Sequence, residues 1–205
     1  VHSPFRILFV GASITVGVGA TSPSDAYPAV LSQEIGADVG PVAPTVVAHL
    51  GATVSTALTW PYPTDQDLIL VHTATNDFLR STPLPVYRAS LLELLERLRS
   101  ESLYATIVCL GVWAGNDDVN SAGVGVPAYD AVIAANCGLV GGIFVPLTAL
   151  FERGPLHEPS TYATLAGPRL GFHPDDAGHE RIAMAVYAAL GDQHVLEPQR
   201  HQHVA

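Results

Sequence analysis

Five short apolar runs recur along the chain, at residues 6–10, 45–49, 67–73, 105–112 and 142–147. Each is rich in Val, Ile, Leu or Phe, and each is nearly continuous in hydrophobicity instead of alternating. Strands buried on both faces of a parallel sheet read this way. Segments with helical spacing lie between them. Over residues 84–100, Leu91, Leu92, Leu94, Leu95 and Leu98 form an apolar stripe, and Glu93, Glu96, Arg97 and Arg99 mostly decorate the other side. Residues 27–35 and 127–137 are shorter candidates. A last helix is expected over 177–190, with Asp175 and Asp176 suited to its positive N-terminus and Gly191 to its stop. This alternation predicts an α/β fold, a three-layer α/β/α sandwich on a five-stranded parallel sheet. Residues 1–191 are expected to form a single domain. The tail 192–205 shows no periodicity; it is expected to be irregular, fraying or docking on a neighbouring subunit of a homo-oligomer.

Ligands in such sheets bind beyond the carboxyl ends of the strands. Ser13, Gly51 and Asn76 follow the first three predicted strands and so are expected to face one crevice. Ser13 lies in Gly11-Ala12-Ser13-Ile14-Thr15, a glycine turn that lifts a hydroxyl off the end of a buried strand. A serine hydroxyl is a weak nucleophile until a histidine takes its proton and preorganised donors hold the oxyanion. His173 precedes the last helix and can be that base. The reading is therefore ester hydrolysis at Ser13.

Composition narrows the alternatives. Of 205 residues 48% are hydrophobic and 14% charged, which suits a packed core and not a disordered chain. The net charge of −10 argues against a nucleic-acid partner, because phosphates are held by clustered cations. All nine basic residues are arginine. Without lysine there is no P-loop, pyridoxal or Schiff-base chemistry. No apolar stretch approaches the roughly 20 residues of a membrane span, so no membrane partner is expected. Cys109 and Cys137 make neither a C-x-x-C pair nor a disulfide-rich pattern, and Cys109 reads as a small buried thiol. The chain begins at Val1, which leaves room for an upstream segment, and both cytoplasmic and secreted locations stay open.

Four ordered blocks resemble those of the SGNH (GDSL-type) hydrolases: Gly11-Ala12-Ser13-Ile14-Thr15, Gly51, Ala74-Thr75-Asn76-Asp77, and His173-Pro174 with Gly178-His179. Asp25-Ala26-Tyr27-Pro28 and Asp67-Leu68-Ile69 fit as well, so the resemblance covers residues 7–190. It implies the flavodoxin-like SGNH hydrolase fold, with Ser13 as nucleophile and His173 as base. The backbone N–H groups of Ser13 and Gly51 and the side-chain amide of Asn76 would form the oxyanion hole. It implies a small-molecule ester substrate, short-chain acyl or aryl, cleaved through an acyl-enzyme with no cofactor and no metal. Carbohydrate deacetylation, acyl transfer to an alcohol, and a catalytically weak binding protein are the alternatives.

Two positions depart from the family. Ala12 replaces the acid of Gly-Asp-Ser, and Leu170 stands where the family places an aspartate three residues before the histidine. A leucine side chain cannot orient an imidazole. A Ser13–His173 dyad follows, with the Leu170 carbonyl or one nearby accepting the Nδ1 proton, and Asp175 or Asp176 as the remaining candidates for an acid. Phe78, Leu79, Trp113 and Phe172 adjoin these positions in sequence and are expected to line the crevice. The polar loop 114–126 reads as a lid or a sugar-contacting rim. Asp77 reads as a helix N-cap, His72 as a satisfied interior histidine, and His179 as packing. The cluster His173, Asp175, Asp176 and His179 lacks the i, i+4 histidine pair of a zinc helix, and Gly11, Gly17 and Gly19 miss the dinucleotide spacing.

Overall fold

A computed structural model describes residues 3–152, 172–193 and 195–196. Among them are five strands: β1 (Phe5–Gly11), β2 (Val42–Ala48), β3 (Leu68–His72), β4 (Thr106–Leu110) and β5 (Ile143–Val145). All pair in parallel in the order β2-β1-β3-β4-β5. Four longer helices cover the sheet: α2 (Tyr27–Val39), α5 (Leu84–Glu101), α6 (Val126–Leu139) and α8 (Asp176–Asp192). Single turns α1 (Ser13–Val16), α3 (Val54–Ala57), α4 (Ala74–Leu79) and α7 (Thr148–Phe151) join them. This is the three-layer α/β architecture that the apolar runs imply.

The strand residues divide by parity between two cores, because successive side chains leave opposite faces of a strand. Leu8, Val10, Ile69, Val71, Ile107 and Cys109 join the α3/α5/α6 side. Ile7, Phe9, Leu68, Leu70, Val108 and Leu110 join the α2/α8 side. In the central strand β3 all five residues are buried, whereas the middle of the edge strand β2 is exposed.

Cys109 and Cys137 form a disulfide between β4 and α6, with Cα atoms 6.2 Å apart. This corrects the expectation of a free thiol at Cys109. The parity of β4 turns Cys109 toward α6, and Cys137 lies on the buried face of that helix. Sequence spacing gives no sign of this pairing. A cross-link closing a 28-residue separation is worth about 3–4 kcal/mol through the unfolded chain. Urea unfolding with reductant, or of Cys137→Ala, should therefore show a clearly lower midpoint. An unchanged midpoint would mean that the bond adds nothing.

All strands point one way, so their carboxyl ends share an edge. The chain steps from β1 to β2 on one side and then to β3 on the other, which opens a crevice between β1 and β3. Gly11 stands in register with Ala48 and His72 at that edge. A β-carbon at position 11 would lie 2.6 Å from Thr15 Cβ and 3.0 Å from the His72 carbonyl oxygen, so only glycine fits.

Candidate active site

Ser13 is the first residue of α1, set directly over the end of β1, and His173 approaches it from the segment that leads into α8. The His173 Nε2 to Ser13 Oγ distance is 3.0 Å, across 160 residues of sequence. Both residues are half-buried. The imidazole is fixed from either side. The Phe172 carbonyl accepts the Trp113 indole N–H at 2.7 Å, and Asp175 caps α8 by accepting from the Gly178 N–H at 2.8 Å. Burial, and secondarily the neighbouring His179, lower the pKa of His173 below the usual histidine value.

No carboxylate among the described residues bonds to His173. Asp175 is occupied as the α8 cap, and both oxygens of Asp176 take the Thr21 N–H and hydroxyl at 2.7 Å. The expected Leu170 carbonyl lies outside the described residues. Ala12 is buried in the apolar cluster that also holds Ala52, Val54 and Ala74. An ionised side chain at position 12 would need a partner in that environment.

The oxyanion candidates converge from the next two strand ends. Gly51 lies in the turn after β2 with φ +69°, a conformation that suits glycine. Asn76, on α4, donates from Nδ2 to the Ala52 carbonyl at 2.9 Å. Asp77 does not cap its own helix. It is buried within α4 and accepts the N–H of Val54, the first residue of α3, at 2.8 Å. Burial raises its pKa, against the lowering effect of that bond.

Two expected wall residues belong to the core instead. Phe78 is 3% exposed and packs edge-on against Tyr129, and Trp113 is fully buried. Adjacency in sequence is not adjacency in direction: at about 100° per helical residue, Phe78 points some 200° away from Asn76. Trp113 faces the α2/α8 core, where it supports Phe172 and, through Phe172, the position of His173. Phe172 is half-buried, its ring edge-on to His173 with centroids 5.2 Å apart.

Beneath Ser13 lies a buried polar layer. The Thr15 hydroxyl meets the Tyr27 hydroxyl at 2.9 Å. His179 Nδ1 accepts the Tyr27 N–H at 3.2 Å, and its Nε2 meets the Val18 carbonyl at 3.1 Å. A neutral ring with its proton on Nε2 satisfies both contacts. His72 departs from expectation: it is interior, but neither ring nitrogen has a partner among the described residues. Burial drives its pKa down to about 4.

One family model, the GDSL-like lipase/acylhydrolase family, matches residues 9–181. The chain belongs to that family. Its members are carboxylic ester hydrolases, and the fold agrees with their solved structures. Similar structures include that of TesA, with TM-score 0.72 and 18% identity over 91% of this chain and 98% of that one. The psychrotrophic esterase EstA from Pseudoalteromonas sp., inhibited by monoethylphosphonate, has TM-score 0.69 and 12% identity over 92% and 98%. The salicylyl-acyltransferase SsfX3 from a tetracycline biosynthetic pathway has TM-score 0.71 and 18% identity, covering 95% of this chain and 56% of that one. No curated protein sequence matches the chain.

Arg80 escaped the sequence reading. Its Nη2 donates to the Gly51 carbonyl at 2.9 Å. The signal was its spacing: four residues after Asn76, one helical turn on, Arg80 shares the face that looks toward the turn after β2.

Proposed function

We propose that this acylhydrolase cleaves short-chain acyl or aryl carboxylic esters through an acyl-enzyme on Ser13. The observation that carries the reading is the 3.0 Å contact between Ser13 Oγ and His173 Nε2. Ser13 Oγ attacks the ester carbonyl carbon as His173 Nε2 takes its proton. His173 then returns that proton to the departing alcohol. Water attacks the acyl-enzyme with His173 again as base, and the acid leaves with Ser13 restored.

The developing oxyanion is held by the backbone N–H groups of Ser13 and Gly51 and by Asn76. As the first residue of α1, Ser13 has an N–H without an intrahelical acceptor. A primary amide carries two N–H donors. One of Asn76's goes to Ala52, which leaves the other for the substrate. His173 works in a dyad, without a carboxylate partner from the described residues.

Exposed apolar residues flank the same elements and support an apolar acyl or aryl group. Leu50 precedes Gly51 and is 69% exposed, Leu79 is 43% exposed, and Val16 ends α1 at 47%. Phe172, half-buried, sets its ring edge-on beside the imidazole. The test is hydrolysis of p-nitrophenyl acetate and butyrate by the wild type and by Ser13→Ala. Ser13-dependent turnover of both esters is expected, and equal rates for the two proteins would refute the reading.

The pH dependence follows from the base. Only the neutral imidazole accepts a proton, so activity is lost as pH falls through the His173 pKa. Burial lowers that pKa, so the acid limb of kcat/KM should have its midpoint below about 6.5, the ordinary histidine value. A midpoint above that value would require a carboxylate acting on the ring.

A further inference from the structure

We propose that Arg80 is a positioning residue for the oxyanion hole, locking the turn that carries Gly51 to the helix that carries Asn76; this rests on the hydrolase reading above. Successive carbonyls of that turn are held from α4. Gly51 O accepts from Arg80 Nη2 and Ala52 O from Asn76 Nδ2, both at 2.9 Å. The Arg80 N–H in turn donates to the Asn76 carbonyl at 2.9 Å, so both donors are fixed to one piece of backbone. On its other side the turn closes on itself through Ala52 N–H to His49 O, 3.2 Å, and is tied to β1 through His49 N–H to Gly11 O, 3.3 Å.

The bond is not explained by stability alone. Arg80 is exposed, and among the described residues no carboxylate forms an ion pair with it. Water would satisfy an exposed Gly51 carbonyl nearly as well. What water cannot do is hold direction. A charge-assisted hydrogen bond from a planar guanidinium fixes the Gly51–Ala52 peptide. With Ala52 O held as well and the turn closed by the Ala52 N–H to His49 O bond, the preceding Leu50–Gly51 peptide, which carries the Gly51 N–H, is kept at a constant angle to the Asn76 amide. Oxyanion donors act through preorganisation, and small misplacements are costly. Gly51, with φ +69°, is the residue in the turn with the most backbone freedom to lose.

The test is steady-state hydrolysis of p-nitrophenyl butyrate by wild type, Ser13→Ala, Arg80→Ala and Arg80→Lys, with a thermal melt of each. Arg80→Ala is expected to lower kcat about 10–100-fold, with KM and melting temperature nearly unchanged. Millimolar guanidinium should restore part of its kcat, and Arg80→Lys should fall between it and the wild type. Wild-type kcat in Arg80→Ala would overturn the inference. So would a loss confined to KM, which would make Arg80 a substrate contact, or a melting temperature that falls in step with activity. A wild type no faster than Ser13→Ala would overturn the hydrolase reading and this inference together. A Ser13-dependent wild type matched by Arg80→Ala overturns the inference alone.

Discussion

Alanine at position 13 is expected to lower kcat for p-nitrophenyl butyrate by about 10⁴–10⁶-fold, alanine at 173 by a comparable factor, and both together by no more than either alone. The non-additivity is the informative part. Ser13 Oγ and His173 Nε2 meet at 3.0 Å; on the proposed mechanism the hydroxyl is activated only by that imidazole, and the imidazole has no proton to move without that hydroxyl. Removing either abolishes the same step. Neither change should threaten the fold, since both side chains are half-buried at the sheet edge and outside both cores. Rates from the three variants, with melting curves, check this. Multiplicative losses would mean that the two residues serve separate steps.

Asn76→Ala should have the next largest effect, about 10²–10³-fold in kcat with a much smaller change in KM. On the proposed mechanism the substitution removes two interactions at once: the oxyanion donor, and the bond from Nδ2 to the Ala52 carbonyl in the Gly51 turn. Asn76→Asp separates them. An ionised carboxylate cannot donate to either acceptor, and it places negative charge where negative charge must develop, so it should be worse than alanine. Steady-state kinetics of both variants decide the point. An aspartate variant more active than the alanine variant would argue that the role of Asn76 is only to hold its own helix.

The sheet was legible because its strands are covered on both faces. β3 is an unbroken buried run and was read almost to the residue, whereas β2, exposed at its centre and interrupted by Pro44, was recognised only over its last half. The four longer helices showed their period. The turns α1, α3, α4 and α7 span four to six residues, too few for a period of 3.6 to declare itself. Ser13, Gly51 and Asn76 lie just past the ends of β1, β2 and β3, where the strand-end rule set them. Direction was not readable: Phe78 lies two residues after Asn76 and Trp113 just past the end of β4, but both side chains point into the cores. Arg80 was missed for the converse reason, because its link to the site depends on a helical turn at α4 that the sequence did not announce. The Cys109–Cys137 bond likewise required knowing that β4 turns its cysteine toward α6.

The claim on which these expectations rest is that Ser13 becomes covalently acylated with His173 as its base. Intact-protein and peptide mass spectrometry after treatment with a fluorophosphonate tests it most directly. A single adduct is expected, located on Ser13, absent from Ser13→Ala and formed far more slowly in His173→Ala. A folded wild type that takes up no reagent, or carries it on a different residue, would contradict the account.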